Sequence, residues 1–312
     1  NTTACRNPHY PNIPVTWRML LTHRSSLKPQ MPYYLTKQGD QLEAGYAPTG
    51  GYRGLAAGQR TCPMTDVRGF YRDILIDKES ETIVGRDLGV NWYQLAQDQS
   101  NGMWRDQAAP GEEAVYSNFA VGYVAALVEW ALIKDQQNND GGKAALSFAN
   151  FSQQYIFEPL GMVNTSWFLR DLPETALVAM PVEPINEEET QFQDIGHYCF
   201  IEYASGSLLS SAADMAKFLS SMLSYGVPDL WSNPAIGRSA LNCLERDLEG
   251  LPVKDCEYGA NWILFETLAD EEWVTPYKVY NWTDGAHHNG AGVGAQTQIL
   301  ILPQAGVFAV VL

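Results

Sequence analysis

Tyr116-Ser117-Asn118 could do acid and base chemistry, because it comes directly before the most apolar stretch of the chain, where a helix is expected to begin. A tyrosine at a helix N-terminus feels the positive end of the helix dipole, which favours phenolate character. An asparagine two residues later can orient a neighbouring group. Taken alone, the tripeptide is also typical of an ordinary helix entry.

A second candidate lies in segment 285–294, which contains His288 and Gly290. The sequence predicts that this glycine-rich segment is a turn, directly before a strand. Glycines let a backbone pass close to a ligand, so N–H groups here could face a developing oxyanion while a histidine supplies a donor. A flexible, solvent-exposed hairpin would have the same composition.

The adjacent pair His287 and His288, together with His197, also suggests a metal-dependent hydrolase. No H-E-x-x-H motif is present, and neighbouring residues of a strand point to opposite faces, so the pair is poorly placed to share one ion. We therefore expect no metal site, and we expect no cofactor.

Apolar spacing predicts the helices that must position these residues. The longest covers residues 117–134, and others are expected at 14–21, at 146–157 and after Ser211 as N-cap. The region from about 28 to 110 is rich in Gly, Pro, Tyr and Gln, with one helical stretch near 64–76. We interpret it as an insertion of loops into a single domain spanning residues 1–312.

The last third of the chain has the short, β-branched and aromatic segments that strands favour, punctuated by Gly, Pro or Asp. They lie at 258–265, 296–302 and 306–312. Strands at the C-terminal end with short connections predict an antiparallel sheet. Together with helices from the middle of the chain, this predicts a mixed α/β fold.

Composition narrows the possible partners. The 312 residues are 46% hydrophobic and carry a formal net charge of −16, which suits a globular protein and disfavours binding to phosphate backbones or anionic lipid headgroups. No apolar run approaches the ~18 residues of a membrane span. We therefore expect no nucleic-acid partner and no membrane-spanning segment.

The cysteines and sequons suggest an extracellular protein. Cys243 and Cys256 flank a turn at 247–250, and their short spacing predicts a disulfide. Four N-x-Ser/Thr sequons, at Asn1, Asn150, Asn164 and Asn281, agree with a secreted glycoprotein.

Five segments, taken in order, are similar to the motifs of the serine β-lactamase-related family, of the penicillin-binding-protein and class C β-lactamase kind. The segments are Thr16 to Leu27 (L-L-T-H-T-S-G-L), Tyr116 to Asn118 (Y-x-N), Glu158 to Thr165 (P-L-G-M-x-x-T), Ser205 to Phe218 (A-G-G-L-x-S-T-A-x-D-x-A-x-F) and His288 to Gly290 (K-T-G or H-x-G).

The resemblance implies a β-lactamase/transpeptidase-like fold, in which an antiparallel sheet is flanked by helices beside a helical lobe. It implies an acyl-enzyme mechanism, in which the serine of an S-x-x-K motif attacks an ester or amide of a small-molecule or peptide substrate. By match, Tyr116 is the general acid/base, Asn118 holds the lysine and the substrate amide, and His288 stands in place of the K-T-G lysine. Asn289, Gly290 and Ala291 line the substrate, with the Ala291 N–H as an oxyanion donor.

The match leaves the nucleophile unassigned. The family's S-x-x-K precedes the L-L-T-H segment by a few tens of residues, whereas the only S-x-x-K here is Ser25-Ser26-Leu27-Lys28, inside that segment. We expect that this motif is not catalytic and that the chain is a fragment truncated at both ends, its parent being the active hydrolase. The alternative is a non-catalytic pseudoenzyme whose cleft binds a ligand without turnover.

Overall fold

The computed structural model describes most of the chain. The described residues are 5–29, 66–76, 102–139, 146–173, 176–186, 188–194, 203–223, 240–254, 256–265, 285–292 and 294–312, with isolated positions at 78, 82–83, 86–87, 94 and 197. Outside them lie Cys62, Cys199, the sequons at Asn1 and Asn281, and most of the predicted 28–110 insertion.

Helix α1 (Trp17–Leu21) is short and leads into a buried turn of the chain. The Thr16 hydroxyl oxygen caps it by accepting the Met19 N–H at 3.3 Å. The chain then reverses at His23, whose φ is +56°. Residues 22–27, which we call the buried loop, are each at most 9% exposed, so this irregular segment is part of the interior.

Two helices build the main hydrophobic core. They are α2 (Val67–Leu75) and α3 (Asn118–Asn139), and the Tyr71 hydroxyl joins them by donating to the Phe119 carbonyl at 2.7 Å. The helix predicted over 117–134 is confirmed. The buried side chains of α2 recur at helical spacing: Val67, Phe70, Tyr71 and Ile74.

Because α2 falls inside the region interpreted as an insertion of loops, its packing changes that interpretation. Met103 and Trp104, near the other end of the region, are also buried in this core. The described parts of residues 28–110 therefore contribute to the core, since a one-sided apolar helix gains stability only by packing that face.

The remaining helices agree with the sequence. Helix α4 (Phe148–Ser152) continues as a π-helical turn over Gln153–Phe157. Helix α5 (Ala212–Leu223) begins after Ser211, whose hydroxyl oxygen accepts the Asp214 N–H at 3.2 Å, as expected of an N-cap.

The strands pair antiparallel throughout. Two small hairpins join β1 (Thr82–Ile83) to β2 (Arg86–Asp87) and β3 (Val182–Pro184) to β4 (Phe192–Asp194). The main sheet contains, in spatial order, β5 (Ile263–Leu264), β6 (Ala286–Gly292), β7 (Ala295–Leu302) and β8 (Val307–Val311).

Helix α5 covers one face of the main sheet. Its Leu219 and Met222 share a core cluster with Ala286 and Ile301. The predicted mixed α/β fold with an antiparallel sheet is therefore confirmed. No helix within the described ranges has both the length and the apolar character needed to cross a membrane.

One local prediction was wrong. The glycine-rich segment expected as a turn forms strand β6 over residues 286–292, which pairs with β7 from Ala295 onward. Glycine, histidine and asparagine are poor strand formers individually. Pairing with the apolar strand β7 and burial of Ala286 and His287 outweigh that local preference.

The predicted disulfide is confirmed. Cys243 and Cys256 are bonded, with their Cα atoms 5.9 Å apart. The bond closes a small loop that contains Glu245, whose carboxylate is completely buried. The covalent link therefore holds this carboxylate in a short, constrained segment.

Candidate active site

Tyr116 and Asn118 lie at the N-terminal end of α3, where Ser117 fixes the helix start. The Ser117 hydroxyl accepts the Ala120 N–H at 3.0 Å and donates to the Lys28 carbonyl at 2.7 Å. Tyr116 precedes this cap, and its hydroxyl donates to the Asn118 side-chain oxygen at 3.0 Å. The Y-x-N tripeptide therefore forms one hydrogen-bonded unit.

His288 comes to the same place from strand β6. Its ring centroid is 6.1 Å from that of Tyr116, although the two residues are far apart in the sequence. The structure thus brings together Tyr116, Asn118 and His288, as the motif matches require. His287, its neighbour, instead stacks on Phe265 with centroids 5.7 Å apart.

The hydrogen bonds of His288 define its chemistry. Its Nδ1 lies 2.7 Å from the Asn289 carbonyl oxygen, and because a carbonyl only accepts, Nδ1 carries the proton. Nε2 is then a lone-pair acceptor, buried and without a partner among the described residues. Burial lowers the pKa of His288, partly offset by the bond to Asn289, so the ring is neutral near pH 7.

Strand β6 offers backbone N–H groups along one edge. The Phe265 N–H donates to the Gly285 carbonyl at 3.1 Å, so the Gly285 peptide faces β5. Because antiparallel strands alternate the direction of their hydrogen-bonding groups, His287, Asn289 and Ala291 face the same edge. The β5 pairing ends at His287, which leaves the Ala291 N–H uncovered by β5.

The three predicted substrate-binding residues follow His288 on this strand and are all exposed: Asn289, Gly290 and Ala291. Gly290 pairs with Thr297, whose hydroxyl would lie 2.5 Å from any Cβ added there. A side chain at position 290 would therefore displace Thr297.

The phenol of Tyr116 differs from its predicted state. Although the residue is 36% exposed, desolvation raises the pKa of Tyr116 above its ordinary value. Desolvation disfavours the charged form, so this environment does not favour the phenolate character expected at the helix N-terminus. Tyr116 is a neutral phenol here, and it would need a cation beside it to lose its proton at neutral pH.

His23 lies under Tyr116 and was not among the predicted site residues. Its ring centroid is 4.5 Å from that of Tyr116 and 4.7 Å from that of Tyr258. Its Nδ1 accepts the Ser117 N–H at 3.1 Å. The sequence signal was present, since His23 belongs to the matched segment 16–27, but that match says nothing of its contacts.

Burial also decides the charge of His23. Desolvation, reinforced by the nearby His288, lowers the pKa of His23 to about 4. The Asn261 side chain acts in the opposite direction and raises the pKa of His23. Among the described residues, neither His23 Nε2 nor Asn261 Oδ1 has a partner with full hydrogen-bond geometry. His23 is therefore neutral at physiological pH.

A buried ion pair supports this region from below. Arg24 Nε donates to Glu245 Oε2. Glu245 Oε1 accepts the N–H groups of Glu257 at 2.6 Å and Tyr258 at 2.7 Å. Arg24 Nη1 donates to the Glu112 carbonyl at 3.0 Å. The pair therefore links the buried loop to the backbone that carries Tyr258.

Ser25 and Ser26 are poorly placed for nucleophilic attack. Ser25 is 1% exposed and lies in the buried loop, where its hydroxyl oxygen is 3.4 Å from the Leu27 N–H. Ser26 donates to the Ala108 carbonyl at 2.6 Å. Neither residue begins a helix, so the Ser25-to-Lys28 motif lacks the setting that a catalytic S-x-x-K needs.

No metal centre is formed within the part of the chain that the structure describes. No three His, Cys, Asp or Glu side chains come close enough there to hold an ion. The chemistry of the site instead consists of a phenol, an amide, a neutral imidazole and backbone N–H groups. Such a set can transfer a proton and stabilise an oxyanion.

The sequence model of the Beta-lactamase family matches residues 7–312. The chain belongs to the Beta-lactamase family. A search of curated proteins gave no match.

Solved structures share the fold at low identity. The octameric penicillin-binding protein homologue from Pyrococcus abyssi is 17% identical with a TM-score of 0.53, over 95% of this chain and 51% of that one. Simvastatin synthase from Aspergillus terreus is 16% identical with a TM-score of 0.53, over 96% and 62%. EstCE1, a hydrolase with promiscuous acyltransferase activity, is 14% identical with a TM-score of 0.50, over 98% and 68%. The chain thus spans about half to two thirds of these proteins.

Proposed function

We propose that the protein to which this chain belongs hydrolyses an ester or amide bond through an acyl-enzyme on a serine. The observation that supports it is the convergence of Tyr116, Asn118 and His288 beside the uncovered edge of β6. The serine and its lysine would come from an S-x-x-K segment outside these 312 residues, because Ser25 is buried.

Each residue would then have one task. The serine oxygen bonds to the substrate carbonyl carbon, and its proton passes to the lysine and Tyr116 pair. The oxyanion accepts the Ala291 N–H, and Tyr116 returns the proton to the leaving group as its bond to carbon breaks. Water repeats the sequence to release the acid. Asn118 orients Tyr116 through their 3.0 Å hydrogen bond.

The charge of His288 bears on the substrate class. A neutral imidazole with an acceptor at Nε2 offers no fixed cation for a substrate carboxylate. We therefore propose esters or uncharged amides with a hydrogen-bond donor near the scissile bond, in preference to penicillins. EstCE1 is a hydrolase that shares this fold.

An extracellular location belongs to the same proposal. The Cys243–Cys256 disulfide favours an oxidising compartment, and the sequon residues Asn150 and Asn164 are both exposed. Cell fractionation with enzymatic deglycosylation tests it. A protein found only in the cytosol, with no shift in mass after deglycosylation, would contradict it.

Covalent labelling tests the proposed reaction. The full-length protein should react once with a fluorophosphonate probe, at the S-x-x-K serine, and the 312-residue chain should stay unlabelled. Tyr116→Phe in the full-length protein should slow labelling by roughly 10²–10⁴-fold, because the proton-transfer group is lost. Tyr155→Phe, which removes a hydroxyl from a half-exposed tyrosine outside the site, is the matched control.

Two outcomes would refute the proposal. Stoichiometric labelling of the 312-residue chain at Ser25 or Ser26 would make the Ser25-to-Lys28 motif the nucleophile. A full-length protein that binds ester ligands without ever forming an adduct would support the non-catalytic alternative.

A further inference from the structure

His23 holds the backbone on both sides of Tyr116. The Val115 N–H donates to the His23 carbonyl at 2.8 Å, and the Ser117 N–H donates to His23 Nδ1 at 3.1 Å. Tyr116 lies between these two anchored residues, with its ring 4.5 Å from the imidazole. One residue therefore fixes the main chain and the ring face of the tyrosine together.

The backbone of His23 is held in an uncommon conformation. A φ of +56° is rare for residues other than glycine and is retained only where the surroundings enforce it. The surroundings do so here, because the Asn261 N–H binds the Leu21 carbonyl at 2.8 Å and the Gly111 N–H binds the Arg24 carbonyl at 2.7 Å. Both bonds flank His23, so the turn presents its carbonyl and its ring together to residues 115–117.

A second aromatic residue encloses the imidazole. Tyr258 packs edge-on against it at 4.7 Å, and the N–H of Tyr258 is held by Glu245 at 2.7 Å. The imidazole of His23 thus packs against both Tyr116 and Tyr258. A ring held by two aromatic contacts can transmit position to Tyr116.

We infer that His23 is a positioning residue for Tyr116, which sets the phenol against Asn118 and the edge of strand β6. This inference rests on the proposed function, in which Tyr116 transfers the proton. His23 acts on the site through its contacts with Val115, Tyr116 and Ser117.

The protonation state of the ring agrees with this role. Because Nδ1 accepts the Ser117 N–H, the single proton of the neutral ring sits on Nε2. A protonated ring would set one N–H against another and lose this bond. Burial keeps the pKa of His23 at about 4, so the accepting form is the one present at neutral pH.

Two substitutions separate positioning from packing. His23→Asn keeps an acceptor at the place of Nδ1 and tolerates a positive φ. His23→Phe keeps a ring but has no acceptor. His9→Phe makes the same chemical change at a histidine that contacts none of Tyr116, Ser117 and Asn118 in the described structure, and is the matched control.

The first assay measures fluorophosphonate labelling of the full-length protein, with kinact, KI and the reactive fraction determined separately. His23→Phe should lower kinact by about 10–100-fold at unchanged KI and reactive fraction, since misplacing a reacting group by about 1 Å has a cost of this order. His23→Asn should recover most of the rate, and His9→Phe should match wild type.

The second assay does not depend on activity. In the 312-residue chain with ¹³C-labelled tyrosine, the Tyr116 resonance is assigned by its loss in Tyr116→Phe, and its hydroxyl is titrated. The raised pKa of Tyr116 should persist in His23→Asn and return toward 10 in His23→Phe, where the phenol is released to solvent.

The outcomes separate the two proposals. If wild type is never labelled, the proposed function fails, and the titration alone decides the role of His23. Wild-type kinact and an unchanged Tyr116 titration in His23→Phe would overturn the inference. So would a loss confined to the reactive fraction, or equal losses of kinact in the Asn and Phe variants, because these indicate a merely structural role.

Discussion

Glu245→Gln should destabilise the chain far more than a surface substitution of the same kind. The wild-type carboxylate is fully buried, pairs with Arg24 and accepts two backbone N–H groups, from Glu257 and Tyr258. The amide can still accept from those N–H groups, but it leaves the largely buried Arg24 guanidinium without a counter-charge. Breaking a buried pair in this way costs about 3–5 kcal/mol.

The assay is urea unfolding of the 312-residue chain, followed by tryptophan fluorescence. The matched control is Glu113→Gln, which removes a carboxylate 3.1 Å from Arg105, where the two side chains are 55% and 25% exposed. Exposed pairs contribute about 0–1 kcal/mol, so this control should stay within about 1 kcal/mol of wild type.

A double variant makes the reasoning refutable even if Glu245→Gln does not fold. Arg24→Met with Glu245→Gln removes both charges and keeps an acceptor for the two N–H groups. It should recover roughly 2 kcal/mol relative to Glu245→Gln alone, because no unpaired charge remains buried. A double variant no more stable than the single one, or a Glu245→Gln loss equal to that of Glu113→Gln, would refute the account.

Replacing both Cys243 and Cys256 by serine should lower the free energy of unfolding by about 3 kcal/mol, the value for a loop of roughly 15 residues, and reductant should reproduce this loss in wild type. The pKa of His23 is about 4 in the folded chain and about 6.5 in the unfolded chain, so the unfolded chain binds more protons between these two pH values. The free energy of unfolding should therefore fall by up to about 3 kcal/mol as the pH drops from 6.5 to 4. The fall should be smaller in His23→Asn, which lacks the imidazole. Gly294→Ala should lower the free energy of unfolding in urea by about 1–3 kcal/mol, because φ is +72° and the added methyl would lie 2.6 Å from the backbone of β3. Gly206→Ala is the control and should be nearly neutral, because the space around Gly206 is open.

The sequence predicted best what local patterns determine. The long apolar helix α3, the capped helix α5 and the last two strands follow from side-chain spacing and capping residues near in sequence. The Cys243–Cys256 bond followed from short spacing around a turn. The family match supplied the meeting of Tyr116 with His288, which no local pattern contains.

What the sequence did not predict depends on distant partners. The Ser117–His23 hydrogen bond joins residues 94 apart, so no window around His23 reveals it. The composition of strand β6 predicts a turn, because glycine, histidine and asparagine disfavour a strand, whereas its pairing with β7 makes it one. The neutral state of Tyr116 depends on desolvation, which only the packed structure defines.

The pair of Arg24 and Glu245 constrains how this sequence can change over evolutionary time. The residues are 221 positions apart, and a change at either one alone leaves a buried charge unpaired. That loss is a large share of the 5–15 kcal/mol by which proteins are typically stable. The two positions should therefore vary together among relatives or not at all. A chimera that takes the buried loop from a relative must also take, from the same relative, the loop that the Cys243–Cys256 disulfide closes around Glu245.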